Sequence, residues 1–241
     1  MENVSCSIIT SLYKTDEHIE NYERHIQKCA KKLLKDNVSF EVIAITNDAT
    51  ELETAVCERL QANPWFRWID VPRETLYATW NRGVRESKGF ACTFWNVDDI
   101  RTSEGIVDGI ERVKSGAPVV YFPFTYKRYV KVGPFKLLAK IKKIDLPAFS
   151  KETFTKHMNC GPFFMFSKDF YSKVGPFDEW FTIAGDFEWC TKAAHMAVFQ
   201  KSEIIGGTFT SDGQTLSGKR SERLTKENEK VAENIKVRNG N

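Results

Sequence analysis

The stretch TFWNVDDIRT (93–102) closes an apolar run, Phe90 to Trp95, with Asn96, Asp98 and Asp99. The run predicts a buried strand, and a polar turn at a strand end is ordinary. Two adjacent carboxylates are not: they repel, at a cost unless they are solvated, paired or holding a cation. Other polar groups recur at comparable places. Thr10 and Ser11 end one apolar run, Asn47 and Asp48 end another, and Asp186 and Glu188 stand near the start of AGDFEWCTKAAHMAVFQ. That segment predicts a loop opening a helix.

The elements that must position these groups follow from the hydrophobic periodicity. VSCSIITSL (4–12) predicts a strand. TDEHIENYERHIQKCAKKLLKD places Ile19, Tyr22, Ile26, Cys29, Ala30 and Leu33 on one helical stripe. Its first turn carries Asp16 and Glu17 and its last turns Lys31, Lys32 and Lys35, the order the helix dipole favours. Further strands are expected over 40–46, 66–71 and 90–96, and helices over about 51–62, 76–88 and 103–114. Strands alternating with helices predict a parallel, doubly wound sheet. Ligands bind such sheets outside the carboxyl ends of the strands, where the Thr10, Asn47 and Asn96 groups all fall. The second half is less regular. Residues 123–160 are rich in aromatic and basic side chains, and GPFFMFSKDFYSKVGPFDEWF predicts a strand, a short helix and a turn. A Gly/Ser/Lys-rich segment (211–221) precedes a charged helix running to about 237.

A chain of 241 residues suits one large domain, or a domain with a long appendage. Its net charge of +3, spread over both signs, argues against nucleic acid as the main partner. No apolar run reaches membrane-span length, and MENVSCSIITS lacks a basic segment followed by an apolar one. A cytoplasmic protein is expected, or one peripheral on the cytosolic face of a membrane. The six scattered cysteines form no C-x-x-C pair and predict reduced, structural thiols.

At the level of motifs, the chain resembles the family-two inverting glycosyltransferases of GT-A fold. SIITSLYKTDEHI looks like the family's first strand and loop, and EVIAITNDATEL its second strand and nucleotide-binding turn. LYATWNRGVRESKGFACTFWNVDD is similar to a helix and strand ending Asn-Ala-Asp-Asp. VGPFDEWFTIAGDFEWCTKAA resembles the segment that carries the acidic catalytic motif. The departures are Asn47 where Asp is common, Ala49 where Gly is usual, and Lys192 where Arg is typical.

The resemblance implies an α/β, GT-A-like fold: a Rossmann-type doubly wound mixed sheet with an acceptor-side C-terminal region. The expected division is a catalytic domain over 1–210, nucleotide-binding to about 120 and acceptor-binding from about 121, then a lid loop and helix over 211–241. It implies transfer of a sugar, with inversion, from a nucleotide-diphosphate sugar donor to a glycan or other hydroxyl acceptor. Asp98 and Asp99 would hold a divalent cation, Mn²⁺ or Mg²⁺, with Asp98 the first choice. Asn96 would add a neutral oxygen. Asp48 would accept from the base's ring N–H, with Thr10, Ser11 and Asn47 in the same pocket, while Asn81 would cap or cross-link the loops around the donor. Asp186 would be the general base, with Glu188 in reserve. GQTLSGKRSERL (213–224) is expected as a lid over the diphosphate, and 121–143 as a possible contact with an anionic membrane. Two alternatives stay open. One is a catalytically inactive module that binds nucleotide sugar or glycan. The other is a nucleotidyltransferase, which would want a Gly-rich basic loop that TSLYKTDEH does not supply.

Overall fold

The computed structural model describes residues 4–132, 135–211 and 222–240. The first half runs β1 (Cys6–Leu12), α1 (Ile19–Lys35), β2 (Phe40–Asn47), α2 (Glu51–Gln61), β3 (Phe66–Val71), α3 (Leu76–Glu86) and β4 (Ala91–Phe94). Then come β5 (Ile100–Arg101), α4 (Ser103–Lys114), β6 (Val119–Tyr121), β7 (Phe124–Val132), β8 (Phe135–Ile144) and α5 (Lys151–Phe154). The rest is β9 (Phe164–Ser167), α6 (Lys168–Val174), α7 (Gly185–Met196), β10 (Gln200–Lys201), β11 (Gly207–Ser211) and α8 (Glu222–Arg238).

Seven strands form the main sheet in the order β10-β6-β9-β4-β1-β2-β3. β1 pairs in parallel with β2 and β4, and β2 with β3. β10 pairs in parallel with β6 as well, and the mixed sheet implied by the resemblance is the one observed. β9 runs antiparallel to both β4 and β6, so the sheet is mixed. Neighbouring residues of β1 feed two cores, because strand side chains alternate faces. Ile8 packs with the α1, α2 and α4 side, Ile9 with Tyr77, Trp80 and the aromatic core beneath α3, α6 and α7. The stripe predicted on α1 is the set that α1 buries. Thr50 and Glu53 cap α2 reciprocally, fixing the chain just after the Asn47-Asp48 turn. In the 90–95 run the strand is shorter than expected: Phe90 lies exposed ahead of it, and Trp95 is buried beyond its end.

A second sheet, β5-β11-β7-β8, was not foreseen. The aromatic and basic stretch at 121–143 folds into the long β7–β8 hairpin. β11 docks alongside β7 in parallel and pairs antiparallel with β5, just after the turn that follows β4. α8 packs on α7 and sends Val231 into the aromatic core. All six cysteines are buried free thiols. Among the described residues, no helix is long and apolar enough to cross a membrane.

Candidate active site

Two acidic motifs from distant parts of the chain meet at one cleft of about 240 Å³. Its walls include Ser11 from β1, Asn96 and Asp98 from the turn after β4, and Tyr77 and Trp80 from α3. Asp186, in the first turn of α7, and Phe209 on β11 close the other side. A larger cavity of about 550 Å³ opens on the far side of Asp186, shares Pro162 and Phe209 with the cleft, and is lined largely by aromatic and aliphatic groups with Lys140 and Lys142. On the other side of the 97–99 turn, His18, Asn21, His25, Tyr129 and Lys136 line a cavity of about 340 Å³ that reaches both Asp98 and Asp99.

The turn after β4 separates the two adjacent carboxylates. Asp99 is buried, accepts the Thr210 N–H at 3.0 Å, and its own carbonyl accepts from the Trp95 indole at 3.1 Å. Burial, and then the neighbouring Asp98 charge, push the Asp99 carboxyl well above the usual carboxylate range. It therefore anchors β11 to the turn, and only Asp98 of the pair presents its side chain to the cleft. Of the two acids expected at a cation, Asp98, the first choice, lines this cleft, while Asp99 is turned inward.

Asp186 is held by a different construction. Its Oδ1 accepts from the Phe187 N–H at 2.9 Å and lies 3.1 Å from the Tyr77 hydroxyl, which also reaches the Ile183 carbonyl at 2.8 Å. Gly185 lets the start of α7 press on the Tyr77 ring; a Cβ there would sit 2.6 Å from it. Burial raises the Asp186 carboxyl above its ordinary value, and the Phe187 and Tyr77 bonds only partly oppose it. A carboxylate that is reluctant to stay ionised is a better proton acceptor than an ordinary surface Asp.

The loop ahead of Asp186 is fixed from two sides. Asn81 uses its whole amide: Nδ2 donates to the Phe177 carbonyl and Glu179 Oε1, both at 2.9 Å, and Oδ1 accepts from Tyr171 at 2.6 Å and the Phe177 N–H at 2.9 Å. Its amide thus ties α3 to α6 and to the 177–179 loop, with both ends engaged within the protein. From the opposite side, Glu227 of α8 accepts from the N–H groups of Thr182, Ile183 and Ala184 and from the Thr182 hydroxyl, at 2.7–2.9 Å. Burial pulls the Glu227 carboxyl up, but these bonds outweigh it and leave it below the ordinary value. Nothing in the motifs marks Glu227 for this clamp. The available signal was an acid in register with Val231 and Ile235, the apolar stripe of an otherwise charged helix.

The remaining expected residues divide. Ser11 lines the cleft, but Thr10 points to the opposite face of β1, fully buried with its hydroxyl 2.9 Å from that of Tyr22. The two therefore do not share a pocket. Asn47 is buried and committed internally: Oδ1 accepts the Glu74 N–H at 3.0 Å and Nδ2 donates to Thr79 at 3.1 Å. Asp48 is exposed in a left-handed conformation (φ 52°), which aims the turn outward past the end of β2. Glu188 faces α8, where Arg238 donates to it at 2.7 Å and Asn234 at 3.2 Å. It is a tie between helices, away from the cleft that Asp186 lines. The lid expected over 213–224 lies, up to residue 221, outside the described residues.

Among the described residues, no group of three or more His, Cys, Asp or Glu side chains is arranged to hold a metal ion. The donor set fits a narrower role. Mg²⁺ and Mn²⁺ sites often use one or two carboxylates and take their other oxygens from substrate phosphates and water. Asp98 and Asn96 on one wall of the cleft are such a set.

Residues 7–175 match the family model described as glycosyl transferase family 2. No curated protein matches the chain at the sequence level. Among solved structures, S. aureus TarS 1–349 in complex with UDP-GlcNAc is similar with a TM-score of 0.69 at 13% identity, over 97% of this chain and 66% of that one. The complex of TarS 1–349 with UDP gives 0.63 at 14% identity, over 87% and 61%. The chain thus spans less than two thirds of those TarS chains. The shared fold is GT-A.

Proposed function

Since the chain belongs to glycosyl transferase family 2, we propose that it transfers a sugar from a nucleoside-diphosphate donor to an acceptor hydroxyl, with Asp186 as general base. The observation that carries this is the single cleft shared by Asn96, Asp98 and Asp186, built from the end of β4 and the start of α7. TarS binds UDP and UDP-GlcNAc, which makes uridine-diphosphate sugars the first donors to test.

In this mechanism the acceptor oxygen attacks the anomeric carbon as the bond from that carbon to the diphosphate breaks. Asp186 takes the hydroxyl proton as attack proceeds. Tyr77 and the Phe187 N–H keep its carboxylate aimed, and burial keeps it basic. The aromatic floor of Tyr77, Trp80 and Phe164 excludes water that would otherwise hydrolyse the donor. The acceptor approaches through the larger cavity beyond Asp186, on the side away from Asp98. Attack from the side opposite the leaving group inverts the anomeric centre. Asp98, with Asn96, would hold a divalent cation. When bound, that ion would supply neutralising charge to the departing diphosphate.

The test is a thermal-shift screen of nucleotides and nucleotide sugars with Mn²⁺, Mg²⁺ or EDTA, followed by a transfer assay with the stabilising donor. A donor at about a hundred times its Kd adds roughly 2.7 kcal/mol to stability. Metal-dependent stabilisation by one nucleotide series, followed by turnover, supports the proposal. Stabilisation without turnover on any hydroxyl acceptor would favour a binding module, and no stabilisation by any donor would remove the donor site.

A further inference from the structure

β8 has a surface that the reaction does not explain. It is the edge strand of the small sheet, with β7 as its sheet neighbour. Every residue from Phe135 to Lys143 is exposed, and only Ile144, at its end, is half-buried. Four of the exposed side chains are large and apolar: Phe135, Leu137, Leu138 and Ile141 are 51–68% exposed. Such a row on a soluble edge strand invites pairing or aggregation unless something covers it.

The hairpin register shifts between Arg128 and Tyr129, which pair with Lys140 and Leu138. Ala139 is the extra residue, so the alternation of faces reverses there. Phe135 and Leu137 consequently share the face of Lys140 and Lys142, and Leu138 shares the face of Ile141 and Lys143. Apolar bulk is therefore present on both faces rather than on one face ready to receive a flat partner. Along the hairpin the charge has one sign, although Lys136 is paired with Glu17 from the segment after β1. Residues 124–144 contain seven basic residues, Lys127, Arg128, Lys131, Lys136, Lys140, Lys142 and Lys143, and no acidic one.

We infer that the β7–β8 hairpin docks on an anionic lipid bilayer. Aliphatic and aromatic side chains on both faces suit entry between lipids. Lysines on the same strand carry their ammonium groups back to the headgroup phosphates along flexible apolar stems. A negatively charged leaflet complements the basic run, and the attraction adds lysine by lysine. A second copy of this chain is disfavoured as the occupant, because two basic hairpins would meet like charge with like. The inference rests on the exposed apolar row of β8 and not on the transfer chemistry, although Lys140 and Lys142 of the same strand also line the larger cavity.

The experiment is flotation of the full chain with vesicles of phosphatidylcholine alone and of phosphatidylcholine mixed with phosphatidylglycerol. The variant combines Phe135→Ser, Leu138→Ser and Ile141→Ser. The wild type is expected to float with the anionic vesicles about tenfold more than with neutral ones, and to be released by salt. The triple variant is expected to fall to the neutral-vesicle level with an unchanged Tm. Should it melt early, Ile141→Asp alone carries the same expectation at a position 60% exposed. Equal flotation of wild type and variant, or none by the wild type, overturns the inference. So does equal binding to neutral vesicles. A wild-type dimer that the same substitutions dissociate would assign the surface to a second copy.

Discussion

The turn after β4 and the first turn of α7 each carry two acids within three residues, and each divides them between architecture and the cleft. In the turn, Asp99 goes inward to hold β11 and Asp98 faces the cleft. On the helix, Glu188 ties α7 to α8 and Asp186 faces the cleft. The surroundings differ. Asp98 sits where two cavities meet, suiting an oxygen that must be reached by a diphosphate and an ion. Asp186 is enclosed by Tyr77 and its own helix start, and the loop before it is clamped by Asn81 and Glu227. A charge-neutralising group needs access, whereas a proton acceptor needs a fixed direction and a raised pKa.

The largest effect should come from Asp186→Asn. Transfer is expected to fall by about 10²–10⁴-fold, with donor-induced stabilisation retained. The sign on stability is opposite to that on activity. A carboxyl whose pKa is raised by folding favours the folded state when protonated, and that contribution is lost as pH rises through the raised value. The Asn variant should therefore melt at or above the wild-type temperature at neutral pH. In the wild type, activity should fall on the acid side at a pH above that of an ordinary Asp. A calorimetric scan and a kcat/KM–pH profile read both; a variant that melts early while keeping its turnover would make Asp186 structural.

Next in size is the contrast within the turn. Asp98→Ala should lower transfer by about 10²-fold and abolish the metal dependence of donor stabilisation. Asp99→Asn should cost only a few-fold, about the scale of a slightly displaced neighbour, since a neutral side chain still accepts the Thr210 N–H where burial already disfavours the charge. Titrating Mn²⁺ against donor in the two variants decides the matter. Loss of the metal response in Asp99→Asn but not in Asp98→Ala would reverse the assignment.

Much of this arrangement was legible in the residues. The helical stripe of α1, the bounds of β3 and α4, and the placing of three polar groups at strand ends follow from local periodicity. The β7–β8 hairpin was not legible, because β8 is exposed on both faces and its alternation of apolar and polar residues breaks at Leu137-Leu138 and again at Lys142-Lys143. Nor could adjacent acids be told apart. Which carboxylate turns inward at 98–99 depends on where β11 returns, more than a hundred residues later. Thr10 and Ser11 were separable in principle, since residues next to each other on a strand face opposite ways. Asn47 reads as a ligand-facing amide until Glu74 and Thr79 are seen to take both its ends.

The smallest expected effects separate the two glutamates that brace α7. Glu227→Gln replaces an all-acceptor carboxylate that gathers three loop N–H groups, a hydroxyl and the Arg223 guanidinium with an amide that must turn one donor toward them. A loss of about 2 kcal/mol follows for bonds to a charged group, seen as roughly 4–8 °C in Tm. Folding holds this carboxyl below its ordinary value, so its contribution is complete above the unfolded value and disappears as pH falls through the folded one. The melting difference between wild type and Glu227→Gln should therefore be full at neutral pH and close in acid. Because the 182–184 loop leads directly into Asp186, kcat should fall as well, by less than about tenfold. Glu188→Gln should cost about 1 kcal/mol, since one oxygen can still accept from Arg238, and kcat should not move. If Glu188→Gln lowered kcat more than Glu227→Gln, the brace that matters for catalysis would be the α7–α8 tie rather than the loop clamp.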